Sequence, residues 1–140
     1  MIVLDTNVLS ELMRASPEPK LLAWLTQQPI AGLFTTTLTQ AEIFYGLALL
    51  PEGRRHIGLT EAARTMFEVE MAGRVLSFDG EAASAYPEIV VGRRKAGQPI
   101  SQIDGQIAAI VRSRGARLAT RNARDFTGCG ITVIDPWAPA

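Results

Sequence analysis

Ile2-Val3-Leu4-Asp5-Thr6-Asn7-Val8-Leu9-Ser10-Glu11 is the stretch on which the fold class turns. An apolar run ends on an acid and passes at once into apolar residues at helical spacing. That pattern describes a buried strand carrying a carboxylate at its C-terminal end and turning directly into a helix. Residues 1 to 5 are expected as the strand and Asn7 to Met13 as the helix, capped by Asp5 or Thr6. Ser16-Pro17-Glu18-Pro19 then breaks the chain and opens an amphipathic helix through Leu21, Leu22, Trp24 and Leu25 that ends before Pro29. Leu33-Phe34-Thr35-Thr36 reads as a second strand, followed by a helix carrying Ala41, Phe44, Tyr45, Ala48 and Leu49 that stops near Pro51. Residues 54 to 72 read as helix, Val75 to Phe78 as a third strand, and Gly80 to Lys95 as a helix kinked at Pro87. A break at Gly97-Gln98-Pro99 precedes a helix from Ser101 to Gly115 with Ile103, Ile107, Ile110 and Val111 on its inner face. Leu118 to Thr120 and Ile131 to Ile134 supply the last strands. Strands alternating with helices across short loops predict an α/β fold, one domain over residues 1–140. Its mostly parallel sheet of four to five strands is expected to be covered on both faces.

The bulk composition narrows the function classes. With 47% hydrophobic and 20% charged residues in 140, the chain can bury a real core, which excludes a disordered segment. Cys129 is the sole cysteine, so no intramolecular disulfide is expected. No apolar stretch approaches the roughly 20 residues that span a bilayer, and no secretory-signal pattern opens the chain, so the expected compartment is the cytoplasm and no membrane partner is expected. Net charge is zero, yet residues 1–92 hold 6 Lys or Arg against 11 Asp or Glu, while residues 93–140 hold 8 against 3. An acidic part beside a basic part fits a metal site with a phosphate-binding rim, as it also fits ordinary solvated helix faces.

Three acids carry the chemistry: Asp5, Glu42 and Asp104. Each has a plain structural explanation. Thr39-Gln40-Ala41-Glu42 and Ser101-Gln102-Ile103-Asp104 both match a hydroxyl N-cap with an acid three residues later, and Asp5 can cap its own helix. Convergence is what gives them meaning, because strand C-termini and the starts of the helices that follow share one edge of a parallel sheet. Asp104 follows a helix instead of a strand, so its place on that edge is expected only if the last long helix lays its first turn there. Carboxylates gathered within a few ångströms repel one another and call for a hard cation. An all-oxygen donor set fits Mg²⁺ or Mn²⁺, and His56 and Cys129 make no zinc site. With no Ser-His pair and no Gly-rich phosphate loop, the expected chemistry is metal-activated water attacking a phosphodiester.

The chain resembles the PIN-domain ribonucleases, in particular the VapC toxins of bacterial type II toxin-antitoxin modules and their FitB-like relatives. The resemblance is carried by Leu4 to Glu11, Ala41-Glu42-Ile43-Phe44-Tyr45-Gly46, Ile103-Asp104-Gly105-Gln106-Ile107-Ala108 and Leu118-Ala119-Thr120-Arg121-Asn122 running to Asp125-Phe126. It implies a three-layer α/β/α domain and Mg²⁺- or Mn²⁺-dependent cleavage of RNA. It also implies a homodimer, a small cognate antitoxin in a higher complex, and contact with operator DNA only through that antitoxin. Asp5, Glu42 and Asp104 correspond to the family's acidic set, with Asp5 and Asp104 as the main metal ligands and Glu42 tuning charge or binding through water. For the variable fourth position the chain offers Asn122 and Asp125, of which Asp125 is preferred. Thr6, Asn7, Thr120 and Asn122 are expected to support these acids, and Arg93, Arg94 and Arg121 to hold RNA. The competing expectation is a catalytically silent, FitB-like partner in an antitoxin-dependent DNA-binding complex. Haloacid-dehalogenase-like phosphatases also open on a strand ending in Asp, but Asn7 stands where their second Asp is required.

Overall fold

The computed structural model describes residues 1–138. In chain order it contains β1 (Ile2–Leu4), α1 (Thr6–Leu12), α2 (Pro19–Thr26), β2 (Leu33–Thr36), α3 (Thr37–Ala48) and α4 (Arg54–Thr65). There follow β3 (Val75–Leu76), α5 (Gly80–Lys95), α6 (Gln102–Ser113), β4 (Arg117–Ala119) and β5 (Thr132–Ile134). A π-helical turn, Met66–Glu70, extends α4, and a short 3-10 turn, Ala123–Phe126, lies between β4 and β5. All strands are parallel, in the order β3-β2-β1-β4-β5.

Side chains alternate across a strand, and the three residues of β1 divide accordingly. Ile2 and Leu4 join a core with Val8, Leu9, Leu21, Ile43, Leu47, Ala63 and Phe67, beneath α1 to α4. Val3 faces the other way into a second core with Ile89, Ile107, Ile110, Val111 and Leu118, beneath α5 and α6. The sheet is thus sandwiched between two helical layers, the expected three-layer α/β/α arrangement. Because β1 lies between β2 and β4, the chain winds outward in one direction through β2 and β3 and in the other through β4 and β5. Ligands of open α/β sheets bind at that reversal, beyond the C-terminal ends of β1 and β4. Among the described residues no helix is long and apolar enough to cross a membrane.

Several local expectations are corrected. Only Val75 and Leu76 of the third strand pair, opposite Thr35 and Thr36. β2 ends at Thr36, so Ser77 and Phe78 have no strand to join, and Phe78 instead meets Tyr86 edge-on at 5.9 Å. In α3 the buried stripe is Thr39, Ile43 and Leu47, whereas Ala41, Tyr45, Ala48 and Leu49 face solvent. This helix is apolar on more than one side, so composition does not mark the inward face. Ile103 is exposed; α6 closes on its neighbours only from Gly105 and Ile107 onward. α5 spans Gly80–Lys95 with Pro87 inside it, as the sequence predicts. Trp24 is half-buried, and His56 donates from Nδ1 to the Leu47 carbonyl at 2.9 Å, which ties the start of α4 to the end of α3. Cys129 is buried as a small space-filler.

Candidate active site

Asp5 directly follows β1 and is the N-cap of α1, with its backbone N-H bonded to the Ala119 carbonyl of β4 at 3.0 Å. Its buried carboxylate is bonded on both oxygens. Oδ1 accepts the Thr6 N-H at 2.8 Å, and Oδ2 accepts the Thr120 hydroxyl at 2.7 Å and a longer 3.4 Å contact from Asn7 Nδ2. Thr120 follows β4 and is fully buried. Its hydroxyl also accepts from Asn7 Nδ2 and from the Asn122 N-H, each at 3.1 Å, so its one proton and both lone pairs are in use. The supporting roles expected of Asn7, Thr120 and Asn122 therefore have a concrete form. They clamp one oxygen of Asp5 across the switch point, with Asn122 acting through its backbone.

Glu42 is positioned by a different device. The helix that carries it begins at Thr37, and its cap is Thr36, whose hydroxyl accepts the Thr39 N-H at 3.1 Å. Thr39 is therefore inside the helix and buried, and the capping explanation of Glu42 fails. Glu42 Oε1 instead accepts the Thr6 hydroxyl at 2.6 Å. With the single Thr6 proton committed there, Thr39 donates to Thr6 across 3.2 Å and Thr36 donates to Thr39 across 3.4 Å. Three hydroxyls oriented toward one carboxylate polarise one another and fix its position. Thr39 was not legible as a site residue, since its sequence context reads equally well as a cap.

Asp104 lies in the first turn of α6, where the Ser101 hydroxyl accepts its N-H at 3.2 Å. In a crossover the helix runs antiparallel to the strands, so the start of α6 falls on the edge where β1 ends. Gly105 lets α6 come close to α5: a Cβ there would lie 3.1 Å from both Tyr86 and Val90. The charge of Asp104 is felt there too, since the carboxyl of Asp104 is raised by burial first and then by the Asp5 charge, with Asp125 adding and Ser101 and Arg93 opposing. Asp5 is likewise raised, mainly by burial, against its hydrogen bonds from Thr120 and Thr6, with Glu42 and Asp125 adding to the rise. Asp125 is exposed in the turn after β4. The four acids thus share one electrostatic field. Among the described residues, however, no three acidic, His or Cys side chains close into a ready-made cage for an ion. Mg²⁺ does not require one, because it keeps several waters and takes one or two carboxylates. The donor set is all oxygen, and Asp5 and Asp104 are raised first by burial and further by neighbouring acids, so the residues fit such an ion.

Arg93 corrects an expectation. It is buried, donating from Nε to the Gln98 carbonyl at 2.6 Å and from Nη1 to the Thr127 carbonyl at 2.5 Å. Of the basic run closing α5, helical periodicity turns this one residue inward, where it pins two loops and sets a positive charge near Asp104 instead of reaching for RNA. Arg94 and Arg121 are exposed.

Acids coupled through charge at the switch point of a five-stranded parallel sheet are what this α/β/α fold brings together. The PIN-domain sequence profile matches residues 2–127, and the chain belongs to the PIN-domain family. It is 39% identical over 140 residues to the VapC ribonuclease Y4jK of Sinorhizobium fredii, with 100% of each chain covered. It is 34% identical over 137 residues to the toxin FitB of Neisseria gonorrhoeae, covering 98% of this chain and 99% of that one. The solved structure of FitAB bound to an IR36 DNA fragment matches it with a TM-score of 0.93 at 34% identity, over 100% of this chain and 98% of the other.

Proposed function

We propose that this protein is a Mg²⁺- or Mn²⁺-dependent endoribonuclease acting in the cytoplasm as the toxin of a toxin-antitoxin pair. The observation that carries the reading is Asp5, a buried carboxylate held on both oxygens at the switch point and raised above its ordinary value by burial first, with Glu42 and Asp125 adding. Its likeness to a VapC ribonuclease and to toxin FitB supports the same reading. Asp5 and Asp104 are the residues to hold the ion. When bound, the ion supplies charge neutralisation for the phosphate and a lowered pKa for coordinated water.

The chain's own residues do the rest. Thr120 and Thr6 keep Asp5 in one rotamer, and the threonine relay does the same for Glu42. Glu42 Oε2 makes no hydrogen bond among the described residues, which leaves it free to accept a proton from the attacking water. Asp125 adds negative charge at the exposed side of the crevice, and Arg94 and Arg121 stand outside for phosphates.

A groove of about 710 Å³ runs from Thr6 and Glu42 between α1, α3 and α4, with Met13, Ile43, Leu47 and Leu59 as apolar lining and Arg14 and Arg55 beside them. An amphipathic antitoxin segment fits that lining. Tyr45, Leu49 and Ile57, exposed on α3 and α4, are apolar surface of the kind a second protein chain covers, which supports a homodimer or the antitoxin complex. Contact with operator DNA is assigned to that complex, a reading supported by the likeness to FitAB bound to an IR36 DNA fragment. The same likeness favours the second reading, a catalytically silent partner in DNA binding. Purified, antitoxin-free protein should cut single-stranded RNA with Mg²⁺ or Mn²⁺ and stop in EDTA. Robust cleavage in excess EDTA would overturn the metal mechanism. Absence of any cleavage, with a DNA mobility shift only after antitoxin is added, would favour the silent partner.

A further inference from the structure

Five of the twelve arginines have committed their side chains among the described residues. Arg74 and Arg93 give N-H groups to main-chain carbonyls, and Arg14, Arg112 and Arg114 face carboxylates. Arg121 is held in another way. Its guanidinium carbon lies 5.1 Å from the centroid of the Trp137 ring, and among the described residues that guanidinium makes no ion pair and no hydrogen bond. A cation seated over an aromatic face is restrained without using any N-H donor. All five donors of the fork therefore remain free while the side chain stays ordered.

Both partners are fixed from behind. The Arg121 N-H donates to Asn7 Oδ1 at 3.1 Å, and the amide of the same Asn7 donates to Thr120 at 3.1 Å. Trp137 packs against the core beneath α1 to α4, and its backbone N-H donates to the Asp135 carboxylate at 2.9 Å. Arg121 also directly follows Thr120, whose hydroxyl holds Asp5. The backbone of Arg121 thus lies one residue from the hydroxyl that holds Asp5, and its guanidinium is free over Trp137.

We propose that Trp137 is a positioning residue that aims Arg121 at a substrate phosphate flanking the scissile one. This rests on the ribonuclease reading. A guanidinium grips phosphate with two parallel N-H bonds, and that grip depends on orientation. A floppy arginine would have to be ordered on binding.

The test uses the full chain, Mg²⁺ and a fluorescein-labelled single-stranded oligoribonucleotide, with KM, kcat and the salt dependence of binding measured for each variant. R121A should raise KM about tenfold, the loss of one charge-assisted contact. It should also flatten the slope of log affinity against log salt by about 0.7, one phosphate on a single strand. W137L, which keeps apolar volume against the core and removes the aromatic face, should raise KM several-fold, and W137F should recover most of that. R121K should fall short of wild type because an ammonium does not fork. In the R121A background W137L should add nothing to KM, since it acts through Arg121. If the two variants multiply independently, or if W137L lowers the melting temperature and leaves KM alone, the proposal is overturned while the ribonuclease reading stands. Wild-type protein that neither binds nor cuts RNA would sink that reading and this inference together.

Discussion

The two sides of the acidic crevice are built differently. On the side of β1 and α3, Asp5 and Glu42 are held by named hydrogen bonds from Thr6, Thr120, Asn7 and, through the hydroxyl relay, Thr39 and Thr36. On the side of α6 and the turn after β4, Asp104 is half-buried with a Ser101-capped N-H, and Asp125 is exposed. The first side is a socket whose geometry exists before anything binds. On the second side, the Asp104 and Asp125 carboxylates themselves are coupled to it through charge, while the turn after β4 touches it through the Asn122 N-H on Thr120. Preorganisation is concentrated where two strands and two helix starts meet, because only there are enough backbone and hydroxyl donors available to offset the desolvation of a buried carboxylate.

That contrast can be broken most directly at Asp5. D5N should lower RNA cleavage at least about a thousandfold, since the ion's several kcal/mol of charge stabilisation depend on this ligand. The same variant should melt a few degrees higher in EDTA, because it removes a buried charge that the native chain disfavours. A D5N protein that melts lower than wild type would show that Asp5 is a structural cap first. Next in size is T120V, which keeps the shape and removes the hydroxyl on Asp5 Oδ2. Calorimetric Mn²⁺ titration should show affinity down about 10- to 100-fold, the usual cost of losing a partner that orients a ligand.

A smaller effect concerns pH. Asp5 and Asp104 both sit above their ordinary values when folded. Between the unfolded values and the raised ones the native state binds more protons than the unfolded chain, so the metal-free protein loses stability as pH rises through that window. Urea unfolding from about pH 4 upward should show this fall in EDTA. Saturating Mg²⁺ should flatten it, and D104N should retain part of it, the part owed to Asp5. A metal-free protein whose stability instead rises across that range would mean the two carboxyls are stabilised as anions. The smallest effect is expected at the relay: T39V should cost about 1 kcal/mol in urea unfolding and reduce activity less than T120V does. Equal losses from both would erase the distinction between ligand clamp and supporting relay.

Much of this was legible in the chain. Alternating apolar runs and helical segments predicted a parallel α/β sheet, and Asp5 at the end of the first run predicted an acid at the functional edge. The misreadings have a common origin. Arg93 looked like its neighbour Arg94, Thr39 looked like a cap, and the exposed residues of α3 looked as apolar as its buried stripe, because local sequence does not distinguish the two sides of a helix when both carry similar residues. The close approach of Gly105 to α5, the stacking of Trp137 under Arg121 and the Thr39-Thr6-Glu42 hydrogen bonds each join different elements, which local sequence does not spell out.

By itself the sequence determined where strands and helices alternate and which acids end or begin them, because hydrophobic periodicity and capping act over a few residues. Tertiary structure decided that β1 lies between β2 and β4, that Asp104 comes to the edge where Asp5 sits, and that Arg93 turns inward while Arg121 lies over Trp137. Those outcomes depend on strand order and on contacts between residues as many as 115 positions apart, as between Thr120 and Asp5, which no local pattern encodes.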